Sequence, residues 1–269
     1  MPDDIYTHGH HRTVLRSHTW RTAANSAGHL LPHLRPGQSL LDVGCGPGTI
    51  TLDLAEQVAP GRVIGVDRST AVVEAAREAL TARPAGNVEF RTDDVYDLAF
   101  DDDTFDVVHA HQVLQHLSDP VAAIREMLRV TAPDGLVALR DSDYDAMTWY
   151  PPEPALDDWL ACYRAVARQN EAEPDAGRRL AAWARQAGAG SVETSVGTWL
   201  FDQDEDRRWW GTMWADRVAD SDLGRQAVVY GIADESRVAD WARGWRWWAA
   251  DPDGWFVVVH GEVILRPGR

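Results

Sequence analysis

Lysine is absent from this 269-residue chain, in which all 26 basic residues are arginine. That excludes a phosphate-loop lysine and a Schiff-base lysine, and with the latter ordinary pyridoxal chemistry. Cysteine is nearly absent too: Cys45 and Cys162 are too few for a disulfide framework. Positive charge is scarce, and a formal net charge of −16 would repel the phosphates of a nucleic acid instead of neutralising them. The same acidity suits adaptation to salt, and composition leaves that reading open. The chain has no run of about 18 apolar residues. It starts Met1-Pro2-Asp3-Asp4, acidic where a secretory leader is basic. The expectation is therefore a cytoplasmic protein with neither a membrane nor a nucleic acid as partner. Repeats are missing as well. With 45% apolar content, the chain has enough to bury a full core as one large domain.

What is present begins at Ser39-Leu40-Leu41, which leads into Asp42-Val43-Gly44-Cys45-Gly46-Pro47-Gly48 and then Thr49-Ile50-Thr51-Leu52-Asp53-Leu54-Ala55. This pattern predicts a strand, a glycine turn and a helix. Glycine has no Cβ, so such a turn can press backbone N–H groups against a ligand. A dinucleotide fingerprint, GxGxxG, would need glycine at 49, where this chain has Thr49. Asp42 points the same way. A carboxylate at the mouth of the turn would repel a pyrophosphate, yet it suits a ligand carrying an ammonium and a sulfonium, which S-adenosylmethionine does. Cys45 stands where the turn needs a small residue and reads as structural.

The following strands extend the pattern. Arg62-Val63-Ile64-Gly65-Val66 ends on Asp67, about 20 residues past the turn, where an acid accepts hydrogen bonds from both ribose hydroxyls. Val88-Glu89-Phe90-Arg91 ends on Thr92-Asp93-Asp94-Val95, where an acceptor and a backbone N–H can take adenine. Phe105-Asp106-Val107-Val108 opens into His109-Ala110-His111-Gln112. Acids at the carboxyl ends of successive strands are where open α/β sheets bind ligands.

On these residues the chain resembles the class I S-adenosylmethionine-dependent methyltransferases, most closely their ubiquinone/menaquinone-biosynthesis-like branch. The signatures are Leu41-Asp42-Val43-Gly44-Cys45-Gly46-Pro47-Gly48, Gly65-Val66-Asp67, Asp94 to Phe100, and Val113-Leu114-Gln115-His116-Leu117-Ser118-Asp119-Pro120. Ala99 departs from the proline usual in that branch. The likeness covers roughly residues 10–145 and thins afterward. It implies an α/β fold: a doubly wound, seven-stranded, mostly parallel sheet with an antiparallel last strand. It also implies S-adenosylmethionine as donor, S-adenosylhomocysteine as product and a small-molecule acceptor. Within it Asp42 orients the methionine ammonium, Gly44 and Gly46 allow backbone approach, and Asp67 takes the ribose, with Arg68 beside it in the cofactor set. Asp94 and Val95 take adenine. The His111 carbonyl contacts the ammonium, and Arg21 pairs with the cofactor carboxylate. So few thiols are unlike the arsenic methyltransferases of this fold.

Along the chain, residues 1–35 are expected to form an N-terminal lid and a helical lead-in (12–34), ended by Pro36-Gly37. Residues 36–142 form the cofactor-binding core. A helix is expected over 71–81, capped by Ser69 or Thr70, and another behind Asp119-Pro120, followed by a fifth strand at 136–139. Beyond this, 12 of the 13 tryptophans lie from Trp149 onward, so composition changes where the resemblance thins. A helix near 176–187 and a strand near 191–200 come next. Helices over 204–219 and 234–250 and a final antiparallel strand over 255–265 complete the chain. Segments 143–175 and 202–252 read as helical cap insertions that wall an acceptor pocket.

Catalytic candidates are histidines. His111 and His116 fall beside the transfer site, and a histidine near its ordinary pKa is a natural general base. The cluster Tyr6, His8, His10, His11, His18 lacks the paired ligands of a zinc site. As a lid it would bring Tyr6 and His8 or His11 to the acceptor. No metal is expected. Most of the tryptophans read as core, with 241, 245 and 248 forming one helical stripe, whereas Trp149 and Trp214 are the expected pocket walls for a flat or apolar acceptor. Methyl transfer needs little dedicated chemistry, so positioning is the expected source of rate. Two alternatives accompany this reading: a repurposed S-adenosylmethionine-binding protein that does not methylate, and a nicotinamide-dependent oxidoreductase, opposed by Thr49 and Asp42.

Overall fold

The computed structural model describes residues 20–268. Tyr6, His8, His10, His11 and His18, with the lid they were expected to form, lie outside the described residues. Seven strands form one sheet in the order β3-β2-β1-β4-β5-β7-β6. The first four are β1 (Leu40–Val43), β2 (Val63–Asp67), β3 (Val88–Thr92) and β4 (Phe105–His111). The last three are β5 (Thr131–Tyr150), β6 (Ser191–Phe201) and β7 (Trp255–Arg266). β1 runs parallel to β2 and β4, β2 to β3, and β4 to β5. β7 is antiparallel to both β5 and β6, so the sheet is mixed with its last strand reversed.

The alternation of side chains along each strand sorts the apolar residues onto two faces. Leu40, Val63, Val107 and Ala138 pack on one side with Ile50, Leu54, Ala55 and Val58 of α2 (Thr49–Val58). A short helix α1 (Ala23–Ser26) lies on that side too. Leu41, Ile64, Val108 and Val137 face the other side. There they meet Ile124 and Met127 of α4 (Pro120–Val130) and Leu180 of α6 (Leu180–Ala187). α3 (Thr70–Ala82) flanks β2 and β3. Asp119 caps α4 through a bond from the Ala122 N–H at 2.9 Å, with Pro120 in the first turn. Ser69 occupies the N-cap position of α3 but makes no capping bond.

Two expectations change. The lead-in is not one helix. Thr22 and Asn25 form a capping box that starts α1 at Ala23, and a 3₁₀ turn at Leu31–His33 carries Pro32. Proline cannot donate to a continuing helix. The fifth strand, expected over 136–139, is 20 residues long. Its far part pairs with β7 through Thr148↔Val257, Trp149↔Phe256 and Tyr150↔Trp255, after a register shift past Asp143. Residues 143–150, expected to open a cap insertion, are thus a strand extension. The helical additions proper are α5 (Pro154–Gln169), α7 (Asp204–Asp220), α8 (Asp222–Val229) and α9 (Glu235–Ala250).

These helices enclose a third core built on rings. Trp159, Trp214, Trp241, Trp245 and Trp248 are all essentially buried there. Trp214 stacks on Trp245 at 5.8 Å and meets Trp159 edge-on at 4.6 Å, the offset and edge geometries aromatic quadrupoles favour. The expected 241/245/248 stripe is the buried face of α9, and Trp247 is turned to solvent.

Candidate functional site

The strand order places the switch point between β1, which is followed by β2 and β3 on one side, and β4 on the other. In open α/β sheets the crevice at that point, beyond the carboxyl ends, takes the ligand. The glycine turn follows β1 there. Gly44, Gly46 and Gly48 have φ of 68°, 55° and 81°, a region in which a side chain is strained. A Cβ on Gly44 would also collide with Val113, and one on Gly48 would come within 2.6 Å of the Phe90 ring. Only glycine fits this path.

Asp42 sits at the base of the turn, buried, and is held from both sides. One oxygen accepts from Thr51 Oγ1 at 2.5 Å. The other lies 2.7 Å from Nδ1 of His109, its direct neighbour across the β1–β4 ladder. Asp67, at the end of β2, accepts the Gly46 N–H at 3.2 Å and the Ser69 N–H at 3.0 Å. A carboxylate offers about four lone-pair sites, so both acids keep acceptor capacity toward the crevice. Asp94 accepts the Tyr96 N–H at 3.0 Å, which fixes the loop after β3.

Asp42, Gly44, Gly46, Asp67 and Asp94 line one continuous cavity of about 600 Å³. Its near end is formed by Asp42, Gly44, Gly46, Asp67, Arg68, Asp94 and Val95, with Arg21 and His111 alongside. Its far end is formed by Tyr144 and Met147 of β5, Trp199 of β6, Val258 of β7, and Trp210, Trp214 and Arg217 of α7. The structure therefore brings together every described candidate except Trp149. That ring does not line the cavity. It stacks on Phe256, its partner in the β5–β7 ladder, at 5.5 Å and 8°. Extending β5 through position 149 committed its side chain to the sheet face.

Sequence reasoning missed Gln112, Trp20, Trp199 and Trp210. Gln112 has a φ of 54°. Its side chain accepts from Arg21 at 2.6 Å and donates to Ser142 Oγ at 2.9 Å, so it ties the chain before β1 to β4 and β5. Nothing in a lone Gln after a strand signals that. Trp199 was readable: it shares the inward face of β6 with Phe201 two residues on.

His111 ends β4 with its ring edge-on to Trp199 at 5.7 Å. Burial, followed by the nearby Arg140 and Arg21 cations, pushes its pKa well below the usual histidine value. It is neutral at pH 7, and its protonated form is disfavoured. Arg140 and Glu262, partners across β5 and β7, form a buried pair at 3.0 Å behind it. Burial also lowers Arg140 to about 10. His116 is on the wall, in the 3₁₀ turn Leu114–His116, with Nε2 3.0 Å from Gln115 Nε2.

The residues present fit an adenosyl sulfonium donor: close backbone approach at the turn, an acid under it, and the further acids Asp67 and Asp94 on the same cavity wall. No described helix is long and apolar enough to cross a membrane. Comparison with known proteins agrees with this site. A family described as a methyltransferase domain matches residues 34–206. The chain is similar to an uncharacterized methyltransferase of Schizosaccharomyces pombe, 35% identical over 97% of this chain and 96% of that one. It is also similar to a demethylmenaquinone methyltransferase of Symbiobacterium thermophilum, 39% identical over 38% of this chain and 42% of that one. The fold resembles that of Haemonchus contortus phosphoethanolamine N-methyltransferase 2, solved with phosphomonomethylethanolamine and S-adenosylhomocysteine. Its TM-score is 0.54 at 17% identity, over 88% of this chain and 50% of that one. The chain belongs to the methyltransferase domain family, an enzyme family whose methyl donor is S-adenosylmethionine.

Proposed function

We propose that the chain transfers a methyl group from S-adenosylmethionine to a small, flat, aromatic or hydrophobic acceptor held between β5 and the tryptophans of α7. The observation that carries this reading is the single cavity joining an acidic glycine turn to an aromatic chamber. Its volume, about 600 Å³, falls within the roughly 300–1,000 Å³ of small-molecule sites.

Bound at the turn, the donor supplies a methyl already activated by a positive sulfur. The protein's part is then placement. Gly44 and Gly46 allow main-chain approach, Asp42 faces the ammonium, Asp67 takes the ribose, and Asp94 with Val95 takes adenine. Arg21 and the His111 carbonyl hold the amino-acid end, and Arg68 stands beside the ribose. Trp210, Trp214 and Met147 exclude water and align the acceptor. Such alignment is enough for a large part of the acceleration.

His111 is a poor general base in this arrangement, because protonating it would place a third cation beside Arg140 and Arg21. In this reading His111 gives up its expected first place among the candidate bases. His116 is the described histidine left for that role, and where the acceptor carries a proton, solvent at the cavity mouth can also receive it.

The test is calorimetric titration with S-adenosylhomocysteine and NAD, followed by a labelled-methyl screen over aromatic and aliphatic acceptors. Binding of the first without the second, and label transfer to an aromatic acceptor, are the expected outcomes. Tight NAD binding would sink the reading.

A further inference from the structure

Asp42 and His109 are direct partners in the β1–β4 ladder, and both are buried. Alternation puts them on the sheet face that carries Leu40, Val107, Leu136, Ala138 and Ile264. A leucine at position 109 would suit that aliphatic face. The chain has an imidazole there instead, with no exposed surface, and its Nε2 has no hydrogen-bond partner among the described residues. A buried polar atom left unpaired costs stability. The bond the ring does make is at Nδ1, 2.7 Å from Asp42 Oδ1. An ionised carboxylate can only accept, so Nδ1 carries the proton and donates it.

His109 does not line the cavity, whereas Asp42 does. Thr51 Oγ1 donates to the other Asp42 oxygen, so the carboxylate is gripped at both ends and cannot turn about its Cβ–Cγ bond. Each oxygen keeps a further lone pair for the crevice. A carboxylate fixed in advance binds a cation without paying for its own ordering, and the hydrogen bond it accepts from that cation is of the strong, charge-assisted kind.

We propose that His109 is a positioning residue: through its Nδ1–H it fixes the Asp42 carboxylate for the α-ammonium of the donor. This rests on the reading that the cavity takes S-adenosylmethionine. Two probes are titrated by calorimetry into the full chain: S-adenosylhomocysteine and its deaminated analogue, in which hydrogen replaces the α-ammonium. The wild type should prefer the first by at least about tenfold, the scale of a hydrogen bond to a charged group. His109→Leu should cut that preference to within about threefold. His109→Asn keeps an N–H directly on Cγ, where Nδ1 is attached, and should retain most of it. His109→Gln sets the same amide one carbon further out and should lose it, so the asparagine–glutamine contrast serves if the leucine variant does not fold. A role in packing alone would weaken both probes together and leave the preference intact. That outcome in the leucine or glutamine variant overturns the proposal. A wild type that binds both probes alike overturns it too, and leaves the donor reading standing. A wild type that binds neither sinks the donor reading itself, and the proposal with it.

Discussion

The glycine turn and the tryptophan chamber face each other across one cavity, and they hold their shapes by different physics. At the turn, three residues with positive φ and two acids bonded to backbone and neighbouring side chains set the path of the main chain. In the chamber, rings pack on rings: Trp210 stacks on Phe201 at 4.1 Å, Tyr144 on Tyr163 at 4.0 Å, and Trp214 on Trp245. A turn of the first kind tolerates almost no substitution because its backbone is left-handed and an added Cβ at Gly44 or Gly48 meets a neighbouring side chain. A wall of the second kind can change its lining while its interior holds, since what stabilises it lies behind the surface the acceptor sees. This difference suits an enzyme whose donor is fixed and whose acceptor varies among relatives.

The largest effect should come from breaking the chamber's interior. Trp245→Ala removes a fully buried indole that touches Trp159, Trp214, Trp248 and Phe256. It should cost about 3–5 kcal/mol of stability, read by denaturant unfolding. Folded variant protein should bind S-adenosylhomocysteine as before, because no part of Trp245 lines the cavity. A loss under about 1 kcal/mol would mean that ring packing does not hold this region.

The next effect probes β5, the strand shared by the two regions. Asp141 is fully buried, and burial raises its pKa to about 7. Its unfolded value is about 3.9. The folded state therefore holds the proton more tightly, and stability falls as pH rises from about 4 through 7. Three units correspond to at most about 4 kcal/mol. Asp141→Asn should flatten that fall between about pH 4 and 7, with urea midpoints as the measurement. An unchanged slope would remove Asp141 as its source.

On the donor side, Gly44→Ala forces a side chain into left-handed backbone, at roughly 1–2 kcal/mol. It also crowds Val113 by a further ~1–3 kcal/mol. Asp67→Ala is milder for the fold and should instead weaken S-adenosylhomocysteine by about 1–3 kcal/mol, the scale of leaving polar partners unpaired. If Asp67→Ala binds like the wild type, the ribose is not held there.

The two regions also differed in how well they could be read from sequence. The turn was legible because its chemistry is local: strand, glycines and acid are contiguous in Leu41–Gly48, and Asp67 and Asp94 each close the next strand. The seven-strand plan followed from the same signatures. The chamber was not, because its lining is assembled from β5, β6, β7 and α7, which lie far apart in the chain. Trp149 and Trp214 looked alike as tryptophans in the added segments. A register shift in β5 and the ladder partner Phe256 put the first in the sheet, and that partner lies far along the chain from position 149. Arg217 was invisible for the same reason, since on a helix of such mixed pattern a charge reads as solvent-facing.

The smallest expected effect decides what the histidines between the two regions do. His111 sits at the junction, neutral and ringed by Arg140, Arg21 and Trp199, and His116 lies on the wall. If placement carries the reaction, His116→Gln should lower turnover by no more than about threefold, measured with the acceptor the label screen identifies. A working general base is worth about 100- to 10,000-fold, so the two outcomes are far apart. The pH profile adds an independent reading. With His111 neutral throughout, kcat should show no inflection that His111→Gln removes. Such an inflection near pH 6–7 would mean that this imidazole titrates in spite of its burial and its two arginines. A large loss in His116→Gln, with both ligands still binding normally, would make that residue the base and leave the donor turn and the ring-lined chamber as the platform on which it acts.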